Sequence, residues 1–211
     1  MIRAQIQPGL WLDARRAVFF ETLGVLAVAD VHWGYATSHR AAGNLLPMWG
    51  DEEIAGSLNA LIADYAPREM IWVGDSLHAL SGRDAAEEFL RGSPVPVTLL
   101  PGNHDRRWRA DFATHATRGD YLFHHGDVTL ALAESQIEVI GHHHPSFSWY
   151  DGAGGRVKLP ALVHGPRRII LPAFSPWAAG APWNEALRED EQLWVTSPKR
   201  VFAVTAAMLR R

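Results

Sequence analysis

Five short groups of polar residues along this chain carry side chains that bind metal ions and move protons: Asp30-x-His32, Gly74-Asp75, Gly102-Asn103-His104-Asp105, His125-Gly126 and Gly141-His142-x-His144. Carboxylate, carboxamide and imidazole together select a divalent ion, and so many nitrogens suit Mn²⁺, Fe or Zn²⁺ better than Mg²⁺. The chain has no Cys, which excludes thiolate sites, disulfides and a cysteine nucleophile. Two Asp, one Asn and four His are more ligands than one ion takes. The set is sized for two ions about 3.5–4 Å apart that share a carboxylate, the arrangement of metal-assisted phosphoester hydrolysis. Taken singly each group is weak, because Asp-x-His and Gly-Asp are commonly strand-end turns. Their ordered recurrence is what points to chemistry.

For these groups to meet, several strands must end at one edge. Apolar runs at 24–29, 70–73, 95–100, 121–123 and 137–140 each lead directly into one of the five groups, as buried strands ending in polar loops would. Ligands of open α/β sheets collect at such carboxyl ends. Residues 51–65 read as a helix, with Ile54, Leu58, Leu61, Ile62 and Tyr65 on one face. Asp51, Glu52 and Glu53 sit where the helix dipole favours acids, and Pro67 follows as a stop. A shorter helix is expected over 84–90, and further strands at 157–163, 168–171 and 200–205. The expected class is α/β, a sheet partly covered by helices and packed on a second sheet. With 211 residues, no internal repeat and no break in composition, one domain over 1–211 is expected. At 47% hydrophobic and 20% charged, the composition excludes a disordered or coiled-coil chain. The net charge of −3, with His neutral, excludes a basic nucleic-acid coat protein. The apolar stretch 17–29 is too short to span a bilayer and contains Glu21, so no membrane or targeting segment is read and a cytoplasmic location is expected.

Over residues 30–144 the ordered set resembles the calcineurin-like metallophosphoesterase superfamily. That resemblance implies a four-layer fold, a β-sandwich flanked by helices, with the metal site at the C-terminal ends of strands. It also implies that Asp30, His32 and His144 hold one ion, that Asn103, His125 and His142 hold the other, and that Asp75 bridges both. His104 matches the superfamily's non-ligand histidine, which protonates the leaving oxygen or stabilises the phosphoryl transition state, with Asp105 as its orienting partner. A finer likeness rests on Asp30-Val-His-Trp-Gly-Tyr-Ala36, Arg40-x-x-Gly43, Pro47, Gly74-Asp-Ser-Leu-His78, His142-x-His144-Pro145 and Leu171-Pro-Ala-Phe174. These resemble the bacterial DNA ligase-associated metallophosphoesterases, small manganese-dependent phosphodiesterases with DNA endonuclease activity in repair. The resemblance implies two Mn²⁺ ions, with Fe, Zn or Mg as alternatives, and in-line attack of a metal-bound hydroxide on phosphorus. Its implied partners are DNA or another phosphodiester, with a functional link to a DNA ligase and a helicase and none to a membrane. Tyr35 stands where that subgroup usually has Lys, His39 where it usually has an aromatic residue, and the stretch from Pro182 through Trp194 matches poorly.

Several neighbours are candidate substrate contacts. Arg106 and Arg107 follow the Asn-His pair and could clamp a phosphate, against the plainer reading of a solvated helix start. His78 could border the cleft, and Trp33 and Trp49, which flank the first group, could stack on a base, against the plainer reading of core or rim packing. His124 should point away from its neighbour His125 by strand alternation. Two rival functions remain open at this stage. One is a phosphoesterase acting on a cyclic nucleotide, a nucleotide pyrophosphate or a lipid precursor. The other is a non-catalytic metal-binding scaffold, which a missing catalytic residue would mark; His104 and every expected ligand are present.

Overall fold

The computed structural model describes residues 2–178 and 180–209, and among them the strands form a six-stranded and a nine-stranded mixed sheet. The first sheet begins as an antiparallel meander of β1 (Arg3–Gln7), β2 (Leu10–Asp13), β3 (Val18–Phe20) and β4 (Val25–Val28). The chain then makes α1 (Tyr35–Ala41) and α2 (Gly50–Tyr65) before β5 (Glu69–Val73), and α3 (Arg83–Gly92) before β6 (Val97–Leu100). Strands β4, β5 and β6 are parallel neighbours, so each crossover needs a helix to return the chain. Their three C-terminal loops therefore leave from one edge.

Alternation along these strands divides the core. Leu26, Val28, Met70 and Trp72 pack with Ile54, Leu58, Leu61 and Phe89 of the helices. Val25, Ala27, Ile71 and Val73 face the other way, onto Phe123, Val139, Leu162 and Ile169 of the second sheet. Burial on both faces is why these strands read as unbroken apolar runs rather than alternating ones.

The second sheet contains β7 (Ala116–Arg118), β8 (Tyr121–Phe123), β9 (Ile137–Ile140), β10 (Pro145–Tyr150), β11 (Arg156–His164), β12 (Arg168–Ile170), β13 (Ala181–Pro182), β14 (Gln192–Ser197) and β15 (Arg200–Thr205), followed by the single turn α4 (Ala206–Leu209). Strands β8, β9 and β12 run parallel to one another. A bridge between Ala29 and Ala173 joins the two sheets where β4 ends, and the Phe174 and Ser175 amides donate to the Ala29 and Asp30 carbonyls. The loops after β8 and β9 are thus brought to the same edge as those after β4, β5 and β6. On its outer face the second sheet is covered by Trp183, Leu187, Ala206 and Leu209. The expected α/β sandwich flanked by helices is the architecture found, with the long helices beside the first sheet.

Strands and helices anticipated from apolar periodicity are present with ends shifted by a few residues. The meander β1–β3, α1, β7, β10, β13 and β14 were not anticipated. The first strand, Arg3-Ala-Gln-Ile-Gln7, is a half-exposed edge with little apolar content, and α1 buries only Ala36. No helix among the described residues is long and apolar enough to cross a membrane.

Candidate metal centre

The backbone at the ligand positions is unusual. Among the described residues, seven other than glycine have positive φ, and five of them are expected metal ligands: Asp30 (55°), His32 (54°), Asp75 (47°), His142 (63°) and His144 (45°). The left-handed region costs an L-residue energy, and Asp and His are among the few types enriched there. Among the described residues, such a turned residue stands two positions beyond the ends of β4, β5 and β9, at Asp30, Asp75 and His142. Such strain persists where the surroundings over-determine it, and it clusters at functional sites.

The loops are zipped to one another through the backbone. The Asp30 amide donates to the Gly74 carbonyl at 3.1 Å, the His32 amide to the Asp75 carbonyl at 3.0 Å and the Trp33 amide to the Ser76 carbonyl at 2.9 Å. Asp51 at the start of α2 accepts the Gly34 amide at 3.0 Å, tying the first loop to the helix. Two glycines are dictated by crowding. A Cβ on Gly102 would lie 2.1 Å from Asp75 Oδ1, and one on Gly74 would lie 2.2 Å from His125 Nδ1. These residues leave space for the ligands rather than simply permitting a turn.

The expected ligands converge. His144 Nε2 lies 3.1 Å from Asp30 Oδ1, and donor atoms of Asp30, His32 and His144 fall within 4.8 Å of one another. A second group within the same distance is Asp30, Asp75 and His125, so Asp30 belongs to both. His125 is the hub of that side: its Nε2 is 3.4 Å from Asp75 Oδ2, 3.2 Å from Asn103 Oδ1 and 3.2 Å from His142 Nδ1. Its Nδ1 donates to the Val73 carbonyl at 3.2 Å, which fixes the tautomer and leaves Nε2 facing the cluster. Backbone amides hold the carboxylates, His142 donating to both Asp30 oxygens and His104 donating to Asp75 Oδ1 at 2.8 Å.

These groups polarise one another. Burial works to raise the Asp75 carboxyl, but the hydrogen bond and charge of His125 outweigh it and bring the pKa down to about 2. Burial works against the His125 cation, and Asp75 with Asp30 outweighs it, raising its pKa to about 9. His144 is raised in the same way, burial being overcome by Asp30. His32 goes the other way: burial takes it down to about 4, so it is neutral at pH 7. Asp30 and Asp75 are 0% and 3% exposed, and their ion-pair partners among the described residues are imidazoles rather than Lys or Arg. The buried His32 Nδ1 has no hydrogen-bond partner among the described residues. Two buried carboxylates, an orphaned imidazole nitrogen and no thiolate form a donor set that fits divalent cations. A cation held there by His125 would have to displace the proton from its Nε2.

The outer residues fall into place unevenly. His104 is exposed, its ring 5.1 Å from that of His32, and its Nδ1 donates to the His78 carbonyl at 3.3 Å. Asp105, expected as the partner of His104, instead accepts the backbone amides of Ser76, Leu77 and Gly102 at 2.9–3.2 Å. It clamps the loops after β5 and β6 together. Burial pushes its carboxyl up to about 6 against those three donors. His78 groups with His32 and His104 and so borders the cluster. Arg106 and Arg107 lie exposed on the one-turn helix after His104. Trp33 does not reach the cleft: it is 1% exposed and packs in the core 6.3 Å from Trp72 and 6.1 Å from Phe89. Its place in the sequence beside His32 suggested a base contact, but the turned backbone sends it inward. His124 also points away, its Nε2 2.8 Å from Glu138.

A run of rings near the cluster was not anticipated. Tyr35 stacks on His39 at 4.3 Å and lies 4.5 Å from His78, which stacks on His104 at 5.2 Å. Trp177 lies 6.3 Å from Tyr35 and within 7° of parallel, and Trp49, 50% exposed, is 5.2 Å from Trp177. These residues come from α1, the α1–α2 connection and the segment after β12, a juxtaposition that no local pattern announces.

No protein-family model matches the chain, and no curated protein sequence matches it. Among solved structures it is similar to Pseudomonas putida nuclease MPE, with a TM-score of 0.74 and 24% sequence identity, covering 96% of this chain and 98% of that one. A single mutant of Vps29 from Entamoeba histolytica aligns at a TM-score of 0.33 and 13% identity, covering 85% and 96% of the two chains, a likeness that carries no argument. The chain has the fold of the Pseudomonas putida protein over nearly its whole length.

Proposed function

We propose that this chain is a two-metal phosphodiesterase that cuts DNA and acts in DNA repair. One observation carries the reading: five loops from two sheets bring Asp30, His32, Asp75, Asn103, His125, His142 and His144 into a single cluster, five of them at left-handed backbone positions. In this reading Asp30, His32 and His144 hold one ion, Asn103, His125 and His142 hold the other, and Asp75 lies between, with manganese in both places. When bound, the ions polarise a phosphate and neutralise the charge that builds on its oxygens. The chain's own groups do the rest. With Nδ1 donating to the His78 carbonyl, His104 in its cationic form carries its second proton on Nε2, where it can pass to the leaving oxygen. Arg106 and Arg107, exposed and without ion pairs among the described residues, are free to meet phosphates. The rings of Tyr35, His39 and Trp177 offer flat faces beside the cluster, which favours a substrate carrying bases. That a protein of this fold is a nuclease supports the same reading. A DNA ligase and a helicase are the partners we expect, in the cytoplasm.

The test is hydrolysis of bis-p-nitrophenyl phosphate and of single- and double-stranded DNA by the full chain, stripped with chelator and reloaded with Mn²⁺. We expect activity only after reloading, and a loss on the order of a hundredfold or more in Asp75→Asn. Metal binding with no turnover would identify a scaffold, and diester hydrolysis without DNA cleavage would identify a small-molecule enzyme. Unchanged activity in Asp75→Asn would sink the proposal.

A further inference from the structure

A pocket of about 190 Å³ lies against the cluster, with His144 as the wall between them. Arg16, Ser146, Lys158, Pro160 and Gly180 are among its lining, and none of its described lining residues is acidic. Three features mark it as built to receive an anion. Arg16 is held in a left-handed turn (φ 68°) between β2 and β3, and one of its guanidinium nitrogens donates to the Ser175 carbonyl at 2.7 Å. Its neighbour Arg15 pairs with Asp13 and Asp64, whereas Arg16 forms no ion pair among the described residues. Burial holds its pKa below the ordinary range, opposed by the field of Glu53, which lines with Arg16 a second pocket on the other side of the guanidinium's segment. A half-buried guanidinium with no carboxylate in ion-pair contact among the described residues is costly, and an anion relieves that cost.

Ser146 supplies the second feature. It is 1% exposed, yet its hydroxyl has no hydrogen-bond partner among the described residues. Its backbone is fixed by pairing with Pro160 of β11 and Pro182 of β13, which holds the hydroxyl in the pocket wall, where a turn about its side-chain torsion presents it to an anion. Lys158 is the third feature: it reaches across the rim, its ammonium donating to the Gly180 carbonyl and keeping further protons free.

We propose that this pocket is a phosphate subsite, in which Arg16, Ser146 and Lys158 hold a phosphate of the substrate strand that neighbours the one being cleaved. The proposal rests on the phosphodiesterase reading above and deepens it. A guanidinium fork, a hydroxyl and an ammonium match the several oxygens of a phosphate, and a nucleic-acid strand presents a second phosphate beside the first. The pocket thereby separates a polynucleotide from a substrate with only one phosphate.

The test compares a short single-stranded oligonucleotide with bis-p-nitrophenyl phosphate, which has no second phosphate. Variants are Arg16→Gln and the pair Ser146→Ala with Lys158→Ala. The pair removes a hydroxyl that bonds nothing and an exposed side chain, so it stays informative if Arg16→Gln folds poorly. Expected is a loss of kcat/KM at least about tenfold larger on the oligonucleotide than on the small diester, carried by KM. Equal losses on both substrates, or none on either, overturn the subsite. A second readout is independent of turnover: anisotropy of a labelled oligonucleotide bound to the full chain in chelator, with inorganic phosphate as competitor. Weaker oligonucleotide binding in the variants supports the subsite even if the wild-type chain hydrolyses nothing, an outcome that would remove the phosphodiesterase reading alone. Unchanged oligonucleotide binding overturns the subsite. Inorganic phosphate binding as tightly as the oligonucleotide, and weakened equally by the variants, assigns the pocket to free phosphate and overturns the strand.

Discussion

Crowding around single atoms sets what the candidate centre tolerates. Gly102 has no room for a methyl group because Asp75 Oδ1 occupies the place, and Asp75 in turn is held by the His104 amide and His125. Gly102→Ala must therefore displace the Asp75 carboxylate and, with it, the Asp75 backbone amide, 2.2 Å from the added carbon, in the loop after β5. We expect kcat/KM on bis-p-nitrophenyl phosphate to fall about a hundredfold while far-UV circular dichroism is unchanged. Full activity in this variant would show that the position of Asp75 does not matter. That these side chains would cluster was legible at this scale, because Asp, Asn and His beside Gly are types chosen for chemistry and not for packing. The partner of Asp105 was not. Adjacency to His104 suggested an imidazole, but a carboxylate buried between two loops satisfies backbone amides first, since an unpaired buried amide costs more than a lost side-chain contact.

At the scale of elements, the first sheet is pinned to its helices by polar and aromatic anchors. Asp13 at the end of β2 is 1% exposed and accepts from Arg15 and from the Tyr65 hydroxyl at 2.9 Å, joining the meander to the last turn of α2. Burial raises its carboxyl pKa, but the bonds from Arg15 and Tyr65 outweigh burial and leave it below the ordinary value of 3.8. A lowered folded-state pKa gives a contribution fully present above the unfolded value and lost as pH falls through the folded one. Asp13→Ala should cost about 3 kcal/mol in urea unfolding at pH 7, and less at an acid pH below the lowered folded-state pKa, where the wild-type carboxyl is itself protonated. An equal cost at both pH values would refute the ionic origin. Trp33 is the other anchor, and Trp33→Ala should cost about 3–5 kcal/mol, whereas the half-exposed Trp49→Ala should cost well under 1 kcal/mol. Similar costs for the two would contradict their placement. Helix α2 and strands β4 and β5 were legible because their apolar periods are long or unbroken. The meander β1–β3 was not, because edge strands with polar residues carry little periodic signal.

For the whole molecule, the net charge of −3 means that any grip on a polyanion is local. The exposed Arg106 and Arg107 beside His104 and the pocket of Arg16 and Lys158 would supply it. Binding of a single strand should therefore depend on salt with a shallow slope, log K falling by about 0.7 per phosphate contacted. Replacing both Arg106 and Arg107 with Ala should flatten that slope by about 1.4, measured by anisotropy between 50 and 200 mM salt. An unchanged slope would place the strand elsewhere. Residue type and order by themselves determined the α/β class, the strand-end placement of the clustered Asp, Asn and His residues and a donor set suited to a divalent cation, because these depend on side-chain chemistry and local periodicity. Only the tertiary structure decided which neighbours share the cleft. It turned Trp33 into the core, gave Asp105 to backbone amides, and brought Tyr35, Trp177 and Trp49 from three separate segments into one run of rings. It also left Arg16 facing a pocket 128 positions from His144 in the chain. Those outcomes depend on how two sheets meet at one edge, a packing decision that no single stretch of sequence contains.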